Sequence, residues 1–340
     1  MPLKGNQARS DRSAAGRGYL VGWLLAFAVV AMLARVVLAV AHPPVPGHLL
    51  RTGMPGLVTA VTHPPAAHHP PAAGSPGLLQ GVQTVTAAGI GRTYRYIVPG
   101  QLTGRLPLLV VLHGRGQSER AVVSHTGFLR LAQQRRAVLV LPDGEQRSWN
   151  AGDGCCGAAG SSRVADVSFV ATVVADAEHR WPVDARRVYL VGYSNGGKLA
   201  YREVCTHPRL FAAVATYGAV PLTPCGPGTP PVPFLLATGS ADPVLPFDGK
   251  PGGHPPLPAV PAALAWLLAQ DRCVARAQTE RDGSAVVQRW VGCAGRTEVE
   301  SVVYSGWGHA WPAGRSGGGS PAVAMLMWSF LGRHLAESGQ

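Results

Sequence analysis

From residue 83 onward, the hydrophobic positions of this chain alternate between two patterns. Short, continuous apolar runs that end near Gly or Pro, such as LPLLVVLHG and AVLVLPDG, are typical of strands buried in a parallel sheet. Between such runs lie segments with apolar residues at helical spacing, such as VADVSFVATVVADAEHRW. Strands and helices that alternate in this way predict an α/β fold, with a mostly parallel sheet and helices on both faces.

The same criteria place the other elements. QTVTAA and TYRYIVPG predict a strand pair ahead of the alternating region, and further strands are predicted at RRVYLVGYS, FAAVATYG, PVPFLLATGS and VESVVYSG. Helices are predicted at FLRLAQQRR, NGGKLAYREVCTH, the stretch from Pro261, and AVAMLMWSFLGRHLAE. Function in such sheets gathers in the loops at the carboxyl ends of the strands, so candidate chemistry is expected there.

Three segments precede this globular domain, which is predicted over residues 81–338. Residues 1–18 are a basic start, and residues 19–41 are apolar except for Arg35, which predicts a long signal peptide or a membrane anchor. Basic residues ahead of such a segment stay in the cytoplasm, so the domain is expected to be secreted, or anchored to the cell membrane and exposed outside. Residues 42–80 are rich in Pro, Ala and His and predict a disordered linker.

The net charge of +12 does not indicate a nucleic-acid partner. Part of it lies in the first 41 residues, and the rest consists of single Arg residues among apolar neighbours, without a basic helix or a Lys/Arg run with interleaved aromatics. The histidines of the linker (His63, His68 and His69) have no fixed geometry for a metal, so no metal or other cofactor is expected.

All six cysteines lie beyond the linker, and an even number in an exported domain predicts disulfide bonds. Cys273 and Cys293 flank a hairpin-like stretch and are the expected pair. The adjacent Cys155 and Cys156 are expected to bond to two later cysteines, in an order that the sequence leaves open; these are Cys205 and Cys225.

GYSNGG, which follows the predicted strand RRVYLV, places Ser194 between two glycines and ahead of a predicted helix. A Gly-rich turn would explain the glycines alone. The strand–turn–helix context favours a sharper interpretation, in which G-x-S-x-G exposes a nucleophilic serine on a strained turn. Such a hydroxyl needs a base that takes its proton and an acid that orients the base.

Both partners occur in late loops. His309 lies in GWGHAWP after the last predicted strand, and Asp242 lies in GSADPVLPF after the strand PVPFLLAT. The chain order Ser194, Asp242, His309 is the order that α/β-hydrolases use. Two other acids, Asp248 and Asp271, compete with Asp242 for the orienting role.

A developing oxyanion needs hydrogen-bond donors. The backbone N–H of Asn195, at the start of its predicted helix, is one candidate. The other is the N–H of Arg115, in the loop HGRG that follows LPLLVVL. His113 of that loop is expected to stabilise the turn and not to act in catalysis.

Taken together, LLVVLHGRGQS, PDG…SWNAGDGCCG, DVSFV, RVYLVGYSNGGKLAY, TGSADPVLPF and GWGHAWP resemble the polyhydroxybutyrate depolymerase and feruloyl esterase-like α/β-hydrolases, which are of the carbohydrate esterase family 1 type. The resemblance extends from about residue 83 to residue 335. It implies an α/β-hydrolase fold and a catalytic triad of Ser194, Asp242 and His309. It also implies a substrate cleft bordered by five residues, although packing would equally explain the tryptophans: Trp149, Asn150, Tyr193, Trp307 and Trp311.

These observations predict an exported serine esterase that hydrolyses carboxylic esters, either short hydroxyalkanoate oligomers or aryl and acetyl esters. The expected partner is a small or oligomeric ester, the expected state is a monomer, and a membrane partner is expected only if residues 19–41 stay attached. Alternatives are an acyltransferase that passes the acyl group to a cell-envelope sugar, a peptidase, and a non-catalytic binding protein. Arg115 stands where many relatives have Cys or Gly, which leaves the substrate open.

Overall fold

The computed structural model of this protein describes residues 77–314 and 322–336. The predicted segments 1–18 and 19–41 lie outside the described residues, as does nearly all of the predicted linker, 42–80. Among the described helices, none has the length and apolar character needed to cross a membrane. The first strand begins at Leu78, inside the range predicted as linker, because Leu78 pairs with Pro99 at the far end of a long hairpin.

Within residues 77–314 and 322–336, ten strands form one sheet in the order β1-β2-β4-β3-β5-β6-β7-β10-β9-β8. The six strands from β4 to β10 in this order pair in parallel, and antiparallel strands complete both edges. The strands are β1 (Leu78–Ala87), β2 (Ile90–Pro99), β3 (Leu106–Leu112), β4 (Val138–Pro142), β5 (Val183–Tyr193), β6 (Ala213–Tyr217), β7 (Phe234–Gly239), β8 (Gln278–Asp282), β9 (Ala285–Trp290) and β10 (Val299–Tyr304).

Seven α-helices accompany the sheet in the described residues. They are α1 (Glu119–Thr126), α2 (Leu129–Gln133), α3 (Gly157–Ser161), α4 (Asp166–Arg180), α5 (Asn195–Thr206), α6 (Val260–Gln270) and α7 (Val323–Leu331). The buried side chains of α4, α5 and α6 belong to one hydrophobic cluster, and those of α1, α2 and α7 belong to a second. The two clusters lie on opposite faces of the sheet, as the sequence predicts.

Strand β3 shows why its sequence is a continuous apolar run. Leu108 and Val110 belong to the cluster of α4, α5 and α6, while Leu109 and Val111 belong to the other cluster. Successive side chains of a strand point to opposite faces, so a strand covered on both faces needs apolar residues at every position. This burial on both sides fixes the strand ends, where the loops with candidate chemistry begin.

Two short helices, α1 and α3, are absent from the sequence-based prediction. Helix α1 buries only Val122 and Thr126, so its apolar periodicity is weak. Its ends carry clearer signals: the Ser118 hydroxyl accepts a hydrogen bond from the N–H of Ala121, and Gly127 follows with φ 81°. A capping Ser and a left-handed Gly are typical helix boundaries.

The structure contains three disulfide bonds in its described part. It joins Cys273 to Cys293 across the β8–β9 hairpin, which is the pair predicted from the sequence. The expectation for the other four is wrong, because Cys155 bonds to its neighbour Cys156, and the two later cysteines bond to each other. Cys205 lies near the end of α5 and Cys225 lies after β6. Their Cα atoms are 5.0 Å apart, a distance that suits a disulfide bond.

Candidate active site

Ser194 lies on a sharp turn between the end of β5 and the start of α5. Its φ is 53° and its ψ is −117°, a conformation that few residues other than glycine adopt. The neighbouring glycines make the turn possible. A Cβ on Gly192 would lie 2.5 Å from the carbonyl oxygen of Gly196, and one on Gly196 would lie 2.5 Å from that of His113. Glycine is therefore required at these two positions of GYSNGG, because the backbone packs closely around Ser194, which is only partly buried.

Asp242 lies three residues beyond the end of β7 and is 3% exposed. Its Oδ1 accepts hydrogen bonds from the backbone N–H groups of Val244 and Leu245, both at 2.8 Å. These two donors fix the carboxylate in one orientation. Its second oxygen, Oδ2, is left for another partner.

That partner is His309, which follows β10. Its Nδ1 lies 2.6 Å from Oδ2 of Asp242, and its Nε2 lies 2.8 Å from Oγ of Ser194. With Nδ1–H donating to the carboxylate, Nε2 is free to accept the serine proton. The chain therefore brings together a hydroxyl, an imidazole and a carboxylate that are 48 or more positions apart in sequence.

Backbone hydrogen bonds hold the two loops that carry Asp242 and His309 against each other. The N–H of Ala241 donates to the carbonyl of Trp307 at 2.9 Å, and the N–H of Gly306 donates to Oγ of Ser240 at 2.8 Å. Strands β7 and β10 are parallel neighbours, so both loops leave the same edge of the sheet. The distance between Asp242 and His309 is thus set by strand pairing and by the loop contacts.

The side chains of two tyrosines form hydrogen bonds to the backbone of the loop that carries His309. The hydroxyl of Tyr193 donates to the carbonyl of His309 at 2.8 Å, and that of Tyr217 donates to the carbonyl of Gly308 at 3.0 Å. The Tyr193 ring also packs on the imidazole, with ring centroids 5.3 Å apart. Tyr217 was not singled out in the sequence, although its position at the carboxyl end of β6 is a signal that could have found it.

Tyr217→Phe is expected to lower kcat by about two- to tenfold, since one net hydrogen bond is worth about 0.5–1.5 kcal/mol and this one positions the loop of His309. The matched control is Tyr189→Phe, which removes a similar bond to the carbonyl of His334 at the opposite end of the sheet. Both variants should lose comparable thermal stability, but Tyr189→Phe should keep its kcat. Equal kcat in the two variants would contradict the positioning role of Tyr217.

The loop after β3 packs directly beside the Ser194 turn. A Cβ on Gly114 would lie 2.8 Å from the Tyr193 ring, so the contact is close. The side-chain oxygen of Gln117 accepts a hydrogen bond from the N–H of Gly114 at 3.0 Å, and the N–H of Gly116 donates to the backbone carbonyl of Arg147 at 2.8 Å. Between these two fixed amides, the N–H of Arg115 has no protein acceptor in the described residues.

The second expected donor, the N–H of Asn195, begins α5. The first N–H groups of a helix have no partner within that helix, so this amide is available. The side chain of Asn195 is occupied: its Oδ1 accepts the N–H of Trp149 at 2.8 Å, and its Nδ2 donates to the carbonyl of Trp149 at 3.0 Å. This two-way contact fixes the start of the helix and was not anticipated from the sequence.

His113 is fully buried and stabilises the loop, as expected. Its Nε2 accepts the N–H of Gly144 at 3.0 Å, so Nδ1–H donates to the carbonyl of Gly114 at 2.9 Å. Burial lowers its pKa, and the neutral ring suits both hydrogen bonds.

Trp149 and Asn150 serve packing, and the expectation that their side chains border the cleft needs correction. Trp149 is 0% exposed, and its Nε1–H donates to the carbonyl of His113 at 2.8 Å. Asn150 is also buried, and its Nδ2 donates to Val164 at 2.7 Å. Both side chains are buried and hydrogen-bonded within the protein, so neither is exposed to a substrate in this structure.

Three other residues expected at the cleft are only partly buried and lie around His309. Tyr193 contacts the imidazole, as described above, and Trp311 packs edge-on against the Tyr193 ring, with centroids 5.8 Å apart. Trp307 lies two residues before His309, and its Nε1–H donates to Oγ of Ser284 at 3.1 Å. Their partial exposure beside the histidine keeps them as candidates for substrate contact.

Lys198 lies one turn after Ser194 on α5. Its amino group is 4.0 Å from Sγ of Cys155, and it makes no ion pair with any described residue. Burial lowers its pKa, and the nearby positive charge of Arg115 lowers it further. The loop after β3 and the helix after the serine thus carry two cations without a carboxylate partner among the described residues.

The competing acids lie elsewhere. Asp248 is exposed, and Asp271 follows α6, where its Oδ1 accepts the N–H of Val232 ahead of β7. That contact lies at the opposite end of β7 from Asp242. This position and the hydrogen bond to Val232 make the role of Asp271 structural, and burial raises its pKa to about 7.

Asp271→Asn is expected to raise the melting temperature at pH 8 by several degrees but to have little effect near pH 4. The unfolded carboxyl titrates near 3.8 and the folded one near 7, so its charging costs stability progressively as pH rises between these values. Thermal unfolding from pH 4 to pH 8 tests this, with exposed Asp248→Asn as the control. A stability difference independent of pH would contradict the assignment.

No group of His, Cys, Asp or Glu within 77–314 and 322–336 is arranged to hold a metal ion. The histidines of the predicted linker (His63, His68 and His69) lie outside the described residues. The arrangement around Ser194 can carry out acyl transfer with protein groups: an activated hydroxyl, a base with its orienting acid, and two candidate amide donors.

The doubly covered, mostly parallel sheet, with the serine turn between β5 and α5, defines the chain as an α/β-hydrolase. An acetyl xylan esterase from Aspergillus awamori has the same fold, with a TM-score of 0.53 and 15% identity, covering 74% of this chain and 99% of that one. A family model described as "Esterase PHB depolymerase" matches residues 93–287, more than half of the chain. The chain belongs to this esterase family.

Two similar proteins agree with this family assignment. The chain is 32% identical over 254 residues to "Putative esterase NocK" of Nocardia uniformis subsp. tsuyamanensis, covering 68% of this chain and 73% of that protein. It is 26% identical over 251 residues to "Probable feruloyl esterase C" of Aspergillus flavus, covering 71% and 83%. The resemblance inferred from the sequence motifs is confirmed.

Proposed function

We propose that this protein is an exported serine esterase that hydrolyses carboxylic esters through an acyl-enzyme on Ser194. The observation that carries the proposal is the position of the His309 ring, which reaches the serine hydroxyl at 2.8 Å and the Asp242 carboxylate at 2.6 Å. Membership of an esterase family supports the reaction class.

In the proposed first step, Oγ of Ser194 attacks the ester carbonyl while Nε2 of His309 takes the hydroxyl proton. The carbonyl oxygen becomes an oxyanion, which accepts hydrogen bonds from the N–H groups of Arg115 and Asn195. The imidazolium then gives its proton to the leaving alkoxy group as the C–O bond breaks. An alcohol departs and the acyl group remains on the serine.

In the second step, water attacks the acyl-enzyme and gives a proton to His309. The tetrahedral intermediate collapses, the carboxylic acid leaves, and the proton returns to Oγ of Ser194. Asp242 keeps its charge throughout and stabilises the imidazolium.

For the substrate we propose short hydroxyalkanoate oligomers, with aryl or acetyl esters as the alternative class. Lys198 and Arg115 support the first class, because the free end of such an oligomer is a carboxylate and both cations lack an acidic partner in the described residues. The name of the Aspergillus flavus relative, a feruloyl esterase, supports the second class.

An export route is supported by the Cys205–Cys225 and Cys273–Cys293 bonds, since disulfides persist in oxidising compartments. The proposed location is outside the cell, either free or attached through residues 19–41. Fractionation of the native host cells, followed by N-terminal sequencing of the recovered protein, tests both the location and the cleavage.

Labelling with a fluorophosphonate tests the proposed nucleophile, because an unactivated serine does not react with it. Mass spectrometry of the digested protein should find the label on the peptide containing Ser194.

A panel of p-nitrophenyl esters tests the substrate class. It compares a butyrate with a succinate half-ester, in which a carboxylate replaces the terminal methyl group of the butyrate. Product analysis with a sugar acceptor present separates hydrolysis from acyl transfer. Failure of both labelling and ester turnover would remove the proposal.

A further inference from the structure

A second concave site lies at the opposite end of the sheet from Ser194. Its volume is about 610 Å³, and it opens at the amino-terminal ends of β3 and β5, against α7. Arg187, in β5, lies seven residues before Ser194, which corresponds to roughly 20 Å along an extended strand. The site is therefore separate from the proposed catalytic centre.

The lining of this cavity is strongly basic. Five guanidinium groups surround it, and the largest side chain of its floor is an indole: Arg105, Arg135, Arg136, Arg187, Arg333 and Trp328. The arginines come from four separate regions: the start of β3, the segment after α2, β5, and the turn after α7. The tertiary structure therefore brings these positive charges together, and no Lys/Arg run in the sequence predicts the cluster.

Among the described residues, acidic side chains pair with two of the five arginines. Arg187 pairs with Asp184 at 2.8 Å, and Arg333 pairs with Glu298 and Glu300 at 2.7 and 2.9 Å. The other three cavity arginines make no ion pair in the described part of the chain. Converging cations without counter-charges repel one another, so the arrangement favours occupation by an anion.

Two of these three arginines keep most of their donors free. Nη1 of Arg105 donates to the carbonyl of Val183 at 3.2 Å, and Nη2 of Arg135 donates to Oε1 of Gln101 at 3.4 Å. A guanidinium has five N–H donors, so each retains several that can bind a ligand.

Other contacts hold the basic groups in place. The Arg136 guanidinium lies over the Trp328 ring, 5.5 Å from its centroid, and Nη2 of Arg187 donates to the carbonyl of Arg105 at 3.1 Å. Trp328 is itself buried against Tyr189, with ring centroids 6.0 Å apart. An arginine that is already ordered loses less entropy when it binds a ligand.

We propose that this cavity binds a ligand that carries phosphate groups. A phosphate offers several oxygens and up to two negative charges, so one group can accept forked hydrogen bonds from two guanidiniums at once. Met325, an exposed apolar residue of the lining, can contact the organic part of such a ligand. The phosphates belong either to a soluble phosphorylated molecule or to the head group of an anionic phospholipid.

The test uses the full-length chain and two probes. Tripolyphosphate, titrated by calorimetry at physiological salt, represents the soluble source. Co-sedimentation with phosphatidylcholine vesicles, with and without phosphatidylglycerol, represents the lipid source. Saturable binding of either probe supports the proposal, and the probe that binds identifies the source.

Arg105→Gln combined with Arg136→Gln should weaken that binding about tenfold or more, as expected for the loss of charge-assisted bonds. The matched control combines Arg209→Gln with Arg276→Gln, which removes the same charge from exposed positions outside the cavity and should change binding less than about twofold. An unchanged circular dichroism spectrum shows that each variant is folded. Arg135→Gln, at an exposed position, serves as a second cavity variant if the first fails to fold.

Two results would overturn the proposal. One is the absence of saturable binding of both probes by the unaltered protein. The other is equal weakening by the cavity and control variants, which would mean that net charge alone, and not this cavity, attracts the probes. The test is independent of the proposed esterase function, because binding is measured without ester substrate.

Discussion

Ser194→Ala is expected to reduce kcat for p-nitrophenyl esters by about 10⁴- to 10⁶-fold, because among the described residues His309 reaches the hydroxyl of this serine and the acyl-enzyme is proposed to form there. The variant should fold normally, since its methyl group fits the same partly exposed turn. It should also fail to react with a fluorophosphonate. Stopped assays with high enzyme concentration can measure the residual rate.

The matched control is Ser168→Ala, on the exposed face of α4, which should keep its full kcat and its fluorophosphonate labelling. Substantial turnover by Ser194→Ala, with unchanged folding by circular dichroism, would exclude the proposed nucleophile. It would leave the family assignment intact, because that rests on sequence similarity over residues 93–287.

Asp242→Asn is expected to reduce kcat by about 10⁴-fold with little change in KM. The amide oxygen can still accept from Val244 and Leu245, so the amide NH₂ then points at Nδ1 of His309. The imidazole must accept that hydrogen bond, which places its proton on Nε2. In this tautomer His309 donates to Ser194 and can no longer take its proton.

Asp248→Asn provides the comparison, because Asp248 is exposed and lies six residues after Asp242, so this variant removes a charge at a nearby position. It should leave kcat close to that of the unaltered protein. If the two variants lost activity equally, the orienting role would not belong to Asp242. A crystal structure of Asp242→Asn would show whether the His309 ring keeps its position.

Much of the site could be predicted because its chemistry depends on local sequence. The glycines of GYSNGG are required because a Cβ on Gly192 or Gly196 would lie 2.5 Å from a backbone oxygen, and that requirement leaves a readable spacing. Ser194, Asp242 and His309 each follow a strand of the parallel part of the sheet, and the carboxyl ends of parallel strands meet at one edge. Residue type and strand position together were therefore sufficient.

The parts that could not be predicted depend on contacts between distant segments. Whether Trp149 borders a cleft or is buried depends on its bonds to Asn195 and His113, 46 and 36 residues away. The cysteine pairing likewise depends on which Cα atoms come within bonding distance, and the adjacent Cys155 and Cys156 proved to be each other's partners. Sequence spacing alone gives no such distances.

The amino-acid sequence by itself determined the α/β-hydrolase fold, the esterase family and the identity of the candidate triad, because burial of strands on both faces and the geometry of a glycine turn impose patterns on neighbouring residues. Only the tertiary structure decided the positioning contacts of Tyr217, the buried place of Trp149 and the basic cavity around Arg136. These features arise where strands and helices far apart in the chain meet, and their interaction energies leave no periodic or short-range pattern in the sequence.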